Sequence, residues 1–260
     1  MRLIFLFLLV GVIADAQPTI TWPNHKKAVI VLTYDDGLQS QLNNAVPLLD
    51  SLHFKGTFFL IGDALDYNNI PQWRKVAKNG HELANHTLYH PCITSGDNPE
   101  PSEKYTPTTI VREIGLMNYI LYALDGKTSH NYAYPCTETS VGGKDYVDTL
   151  KRSTYIGYAR VGGDKDAIIT DFKDLNPLLV PSYGLEGNNT GEQLIDYVKN
   201  VVSKGGVGVI MFHGIGGDWI VTPTAAHRQL LEYLKANEKD IWVATFAEAM
   251  TYVTNALKTK

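Results

Sequence analysis

Short apolar, β-branched runs alternate with stretches of helical periodicity from Ala28 to the end of the chain. Ala28-Val29-Ile30-Val31-Leu32-Thr33 is apolar almost without a break, the pattern of a strand covered on both faces. Behind it Leu42, Val46, Leu49 and Leu52 fall at helical spacing, and residues 57–61 form a second β-rich run that stops at Gly62. Helices are predicted over 71–78, with Asn79-Gly80 as the stop, and over 107–124, with Thr106 as cap and Pro107 in the first turn. Further strands are predicted at 131–134, 155–160, 178–181, 207–212 and 241–244, and helices near 191–204, 223–236 and 245–257. This alternation predicts an α/β fold with a parallel sheet and helices outside, and seven or eight strands would close into a single-domain (β/α) barrel. An open doubly wound sheet is the competitor, but no G-x-G-x-x-G follows any strand. The polar, proline-bearing stretch 93–106 is the longest loop and is expected to form one lip of a substrate groove.

Composition adds little to this picture and charge removes two partners. With 260 residues, 44% hydrophobic and 19% charged, the chain has a globular make-up and the length of one such barrel. A net charge of -4, with no basic cluster longer than Lys26-Lys27, speaks against nucleic acid or a membrane surface as partner. Residues 1–16 stand apart: Arg2, an apolar run from Leu3 to Ile13, then Ala14-Asp15-Ala16, which together read as a secretory signal peptide. The run is too short to span about 30 Å of hydrocarbon. The catalytic domain would then be 17–260, secreted or periplasmic and free of the membrane once the leader is removed. In that compartment the two cysteines, Cys92 and Cys136, each directly after a proline, are expected to pair as a disulfide. Two buried, unpaired thiols are the plainer alternative.

Three segments carry chemistry, each at or just beyond the C-terminal end of a strand, where barrel enzymes assemble their sites. In Thr33-Tyr34-Asp35-Asp36-Gly37 two adjacent carboxylates close an apolar strand. They repel each other and are costly to desolvate unless a cation relieves both. One would ligate that cation while the other stays free as a base; capping of a helix near Leu38 is the plainer reading. His86 and His90 lie four apart in His81-Glu82-Leu83-Ala84-Asn85-His86-Thr87-Leu88-Tyr89-His90, so a helical turn would set both imidazoles on one face. Two histidines and a carboxylate suit a catalytic zinc with positions left for water and substrate. This is not the H-E-x-x-H helix, because Thr87 stands where the glutamate would. His81 lies outside the pair and reads as a packed supporting residue. In Val209-Ile210-Met211-Phe212-His213-Gly214 a histidine at the end of a buried strand can face the barrel mouth; a satisfied core histidine is the alternative. His25, His53, His130 and His227 have no comparable setting.

Together these segments resemble the motifs of the polysaccharide deacetylase family, also called carbohydrate esterase family four or the NodB-homology domain, over about residues 26–250. T-[FY]-D-D-G is met by 33–37, H-[ST]-x-x-H by 86–90 and the final L-x-H by 211–213. The resemblance implies a distorted (β/α) barrel and one divalent metal, zinc before cobalt, nickel or manganese, held by Asp36, His86 and His90. It implies Asp35 as general base, His213 as general acid and the backbone N–H of Cys136 as oxyanion donor, with Met211 lining an acetyl-methyl pocket. One motif departs: the family's R-P-P-[FY] corresponds to Asn131-Tyr132-Ala133-Tyr134-Pro135-Cys136, which has the proline and no arginine. Arg160, at the end of the next predicted strand, is the candidate to replace that charge. Trp219, in the glycine-rich loop after His213, is the candidate sugar contact.

The implied activity is removal of acetyl groups from a polysaccharide or oligosaccharide, O-acetyl of xylan-like or N-acetyl of chitin- or peptidoglycan-like chains. Two alternatives stand beside it: a carbohydrate-binding pseudoenzyme that keeps the metal but lost turnover with the arginine, and hydrolysis of another amide such as a cyclic ureide. Asp35 and His213 speak against the first, since a binding protein needs neither base nor acid. The secretory leader speaks against the second.

Overall fold

In the computed structural model, which describes residues 20–93 and 100–258, the apolar run after Lys27 is strand β1 (Ala28–Asp35), buried at every position. The other strands are β2 (Thr57–Leu60), β3 (Glu82–Asn85), β4 (His130–Ala133), β5 (Ser140–Val141), β6 (Lys144–Asp145), β7 (Ile156–Arg160), β8 (Tyr183–Gly184), β9 (Val207–Phe212) and β10 (Ile241–Ala244). Helices α1 (Val46–Ser51), α2 (Ile70–Lys78), α3 (Pro107–Asp125), α4 (Val147–Lys151), α5 (Gly191–Lys204), α6 (Thr224–Ala236) and α7 (Phe246–Lys258) fill the connections. The expected leader at 1–16 and residues 94–99 of the expected groove lip lie outside the described residues.

The main sheet is parallel and runs β7-β4-β3-β2-β1-β9-β8. β1 is its hub: β9 pairs along one edge, while β10 takes the first half of the other edge and β2 the last three residues. Single bridges from Arg160 to Val180 and from Asp164 to Tyr183 carry the curl from β7 round toward β8, giving the distorted barrel. The β5–β6 hairpin stands apart and is antiparallel.

Period-two alternation sorts the strand residues into two layers. Ile30, Leu32, Tyr34, Ile210 and Phe212 point outward, under helices that include α1, α5 and α6. Val29, Val31, Phe59, Ala84 and Val209 point inward and meet Phe246 and Met250 of α7. Asp35, His86, Arg160, Met211 and His213 share the inward parity, so each strand that carries one delivers it to the interior at its C-terminal end. Lower down, buried Glu82 accepts from Thr57 Oγ1 and the Ala247 N–H at 2.9 Å, and Thr57 Oγ1 accepts the Phe246 N–H at 2.8 Å. These contacts satisfy the first free N–H groups of α7 from inside the barrel.

Several predicted elements form close to their expected limits, α2 ending at Asn79-Gly80 and α3 capped by the Thr106 side chain, which accepts from the Thr109 N–H. Others differ. No strand forms at 178–181, because Pro177 and Pro181 have no N–H to give a ladder; the neighbour of β9 is the two-residue β8. The helix expected across 42–52 opens as a wide π-type turn at Gln41–Ala45 before α1. β3 was not foreseen, since only Leu83 and Ala84 among its four residues are apolar. Among the described residues no helix is long and apolar enough to cross a membrane.

Cys92 and Cys136 form a disulfide with Cα atoms 5.9 Å apart, closing a separation of 44 residues. It ties the segment after His90 to the turn after β4. Replacing both cysteines by serine is expected to lower stability by about 4 kcal/mol on the chain-entropy account, read as a lower urea midpoint. An unchanged midpoint would show that the loop is held by its other contacts.

Candidate active site

At the end of β1 the chain turns through Asp36 at φ +76° and Gly37 at φ +69°. Aspartate is one of the few side chains that enters the left-handed region readily, and glycine enters it freely. The turn leaves both carboxylates almost fully buried, Asp35 on the interior side and Asp36 just above it. Burying two adjacent acids demands compensation for each.

For Asp36 two imidazoles stand close by. His86 follows β3 directly, and its Nε2 lies 3.5 Å from Asp36 Oδ1. His90 Nε2 lies 3.7 Å from the same oxygen. The two are not on a helical turn as expected: Thr87 at φ +68° and His90 at φ +52° fold residues 86–90 into an irregular loop. That loop is pinned by Glu113 Oε1, which accepts the Leu88 and Tyr89 N–H groups at 3.0 and 3.1 Å, and by Thr87 Oγ1, which accepts the His90 N–H at 2.9 Å. These side-chain acceptors replace the backbone ladder a helix would have used.

The donor set fits a divalent metal. Asp36 Oδ1 is buried and has no hydrogen-bond partner among the described residues. Donors about 2.1 Å from one tetrahedral ion lie about 3.4 Å from one another, close to the separations found here. The His86 Nδ1–H donates to the Ala133 carbonyl at 2.9 Å, so its Nε2 lone pair is the one aimed at Asp36. Burial, then the neighbouring His90, pushes the His86 pKa down to about 4, which keeps the ring neutral as a ligand must be. A second grouping of His90, Cys92 and Cys136 holds its sulfurs in the disulfide and offers no thiolates.

Asp35 is served differently. The Arg160 guanidinium, at the end of β7, donates to Asp35 Oδ2 and to Ser182 Oγ, and both partners of the ion pair are about 1–3% exposed. Burial pushes the Asp35 carboxyl up, but the charge and hydrogen bond of Arg160 lead the opposing influences, and the carboxyl is held below its usual range. The arginine missing from the turn after β4 is thus matched in space by one from the adjacent strand. The parallel register places Ala133 beside Arg160. His213 follows β9, its Nδ1 buried without a hydrogen-bond partner among the described residues. Gln41 Nε2 donates to the backbone carbonyls of both Asp35 and His213, which locks the two strand ends together. Sequence reading missed Gln41, because nothing in its neighbourhood marks it out.

Cys136 sits at φ +50° and Thr137 at φ +62°, a left-handed pair directly after β4. Left-handed non-glycine residues gather at this end of the barrel, including Asp36, Thr87, His90, Cys136 and Asp218, as expected where local strain serves a site. Met211 is 9% exposed and faces inward. Trp219 does not stand free as a sugar contact: its indole N–H donates to Asp36 Oδ2 at 2.7 Å, while about half its surface remains exposed. The pairing was illegible in the sequence because 183 residues separate the partners. The loop that carries Trp219 is anchored by Asp218, whose Oδ2 accepts the Ser40 N–H at 2.8 Å.

Three further histidines make contacts away from the site. His81 faces away from the site, its Nδ1 accepting the Gly56 N–H at 3.0 Å and its Nε2 meeting Asp50 at 3.1 Å. His227 is fully buried and its Nε2 pairs with the Tyr34 hydroxyl at 2.8 Å. His130 meets Asp125 at 3.1 Å.

The family model for polysaccharide deacetylase matches residues 23–155, just over half of the chain. A bifunctional xylanase/deacetylase of Pseudobutyrivibrio xylanivorans is 36% identical over 66 residues, which are 25% of this chain and 11% of that protein. A peptidoglycan-N-acetylglucosamine deacetylase of Bacillus cereus is 37% identical over 81 residues, 29% of this chain and 37% of that protein. The matched stretches therefore span well under half of either relative. A family 4 acetyl xylan esterase from Clostridium thermocellum, solved with a cobalt ion, shares the fold with a TM-score of 0.56 and 20% identity, over 86% of this chain and 90% of that one. The match begins just before β1 and takes in the two-aspartate turn, the two-histidine loop and the turn after β4, and so the chain belongs to the polysaccharide deacetylase family.

Proposed function

We propose that the protein is a secreted hydrolase that removes acetyl groups from a glycan, using a divalent metal held by Asp36, His86 and His90. The observation that carries this reading is the convergence of two imidazole nitrogens on a buried carboxylate oxygen that has no hydrogen-bond partner among the described residues. A bound cation would supply Lewis acidity toward an acyl carbonyl and a water. Secretion rests on the leader at 1–16, and the catalytic domain is then 17–260.

The chain's own groups divide the remaining work. Asp35, held ionised by Arg160, takes the proton of the attacking water. The N–H of Cys136, on a turn stiffened by the disulfide, donates to the oxyanion as the carbonyl becomes tetrahedral. His213 gives a proton to the departing amine or hydroxyl of the sugar. Met211 lines the space for the acetyl methyl, and the exposed face of Trp219 remains open to a sugar ring. The pseudoenzyme alternative rested on a missing arginine, and Arg160 now stands against the base.

Arg160→Ala is expected to lower kcat/KM by about 10²-fold and to shift the acidic limb of its pH profile upward. The sign follows from the balance at Asp35: with the guanidinium gone, burial raises the carboxyl and a higher pH is needed to ionise it. An unmoved acidic limb would remove Arg160 from the account. The function itself is tested by acetate release from acetylated xylan and from N-acetylated chitooligosaccharides. Release from either supports it, and binding of both without release would favour the pseudoenzyme.

A further inference from the structure

Beside the candidate active site lies a second cleft, of about 770 Å³, between the loop after β7, strand β8 and the first turns of α5. That volume is within the range of pockets that hold ligands. Met211 belongs to its wall and stands two residues before His213, so the cleft and the proposed reaction centre meet at this one side chain. The meeting point is built closely. A Cβ on Gly162 would come within 2.8 Å of Met211 Sδ, and one on Gly184 within 3.1 Å of its Cε. Glycine at these two positions is therefore what lets Met211 pack directly on the backbone of this wall.

The lining is amide-rich, with Asn188, Asn189, Gln193 and Asn200 among its residues. Asn189 Oδ1 is buried and has no hydrogen-bond partner among the described residues, which leaves it as an acceptor for a ligand's donor. In the same lining the Tyr183 and Tyr197 rings stack with centroids 4.4 Å apart. Of the charged side chains, Asp196 is paired with Lys199 at 2.8 Å, which leaves Asp166 and Glu186 against Lys165. A wall of amides with a small acidic excess suits hydroxyl groups and repels carboxylates.

We propose that this cleft is a subsite for uncharged sugar residues of the same glycan, flanking the acetylated one, and that it discriminates against uronic acids. The proposal rests on the glycan-deacetylase reading for its choice of ligand. Chain length then matters to binding: an oligosaccharide that fills both clefts binds more tightly than a single acetylated sugar. Asp166 and Glu186 set the charge preference, and Asn189 supplies the unpaired acceptor.

The test uses the full chain loaded with zinc, and isothermal titration with xylotetraose, cellotetraose and a glucuronic-acid-bearing xylotetraose. The variants are Asn189→Ala, Glu186→Lys and a cleft-filling Asn200→Trp. The wild type is expected to bind at least one of the first two probes and to bind the acidic one about tenfold more weakly or worse. Asn189→Ala and Asn200→Trp should each weaken the neutral probe by about tenfold, the scale of one lost hydrogen bond. Glu186→Lys should narrow or reverse the discrimination against the uronate. Hydrolysis of p-nitrophenyl acetate, too small to reach the cleft, should stay at the wild-type rate in all three, which separates lost binding from lost folding. Unchanged tetrasaccharide affinity in the variants, or no tetrasaccharide binding by the wild type, overturns the subsite. A wild type that binds but releases no acetate overturns the hydrolase reading and leaves the subsite standing.

Discussion

Asp35→Asn is expected to lower the rate of acetate release by about 10³-fold while leaving the bound metal in place. The amide has nearly the same shape but cannot accept a proton, so the loss falls on turnover. Asp35 makes no hydrogen bond that positions Asp36, His86 or His90; its partner is Arg160. The substitution also leaves a buried guanidinium without its anion, which costs about 3–5 kcal/mol in comparable ion pairs. Thermal unfolding of the variant should therefore be measured beside its kinetics. The decisive comparison is metal content against rate: full metal with little turnover supports the role of base. A variant that keeps most of its rate would transfer that role to another group.

His86→Ala should behave in the opposite way, losing the metal itself and with it at least about 10³-fold of activity. The ring provides one of three protein donors, and its other nitrogen is spent on the Ala133 carbonyl. Removing it leaves that carbonyl unpaired at a cost of about 1–3 kcal/mol, tolerable for a domain that also carries a disulfide. Zinc titration should show the loss directly, without reference to substrate. Metal bound at full stoichiometry by His86→Ala would mean that the ion sits elsewhere.

Much of this site was legible in the sequence because its residues announce themselves locally. Asp35-Asp36 follows an unbroken apolar run, and such a run can hardly be anything but a covered strand. His213 follows another. What stayed hidden was made by pairing at a distance. β3 has two polar residues out of four, and they are tolerated only because Glu82 is met by Thr57, Asn131 and Ala247, and Asn85 by α3. The helical turn read into residues 86–90 was a fair inference from spacing, but Glu113 on α3 supplies acceptors that stabilise a tighter loop. Trp219 was placed near the sugar by its position, and its bond to Asp36 could be found only in three dimensions. Arg160 lay between: a charge ending an apolar strand is conspicuous, yet its partner depends on the order of β4 and β7 in the sheet.

The claim that everything else depends on is that acetate release requires a metal at Asp36, His86 and His90. It is tested most directly by stripping the wild-type protein with a chelator, measuring acetate release, and titrating zinc back. Activity should fall by about 10²-fold or more on stripping and return at one zinc per chain. Acetate release that continues unchanged in the stripped protein would contradict the account.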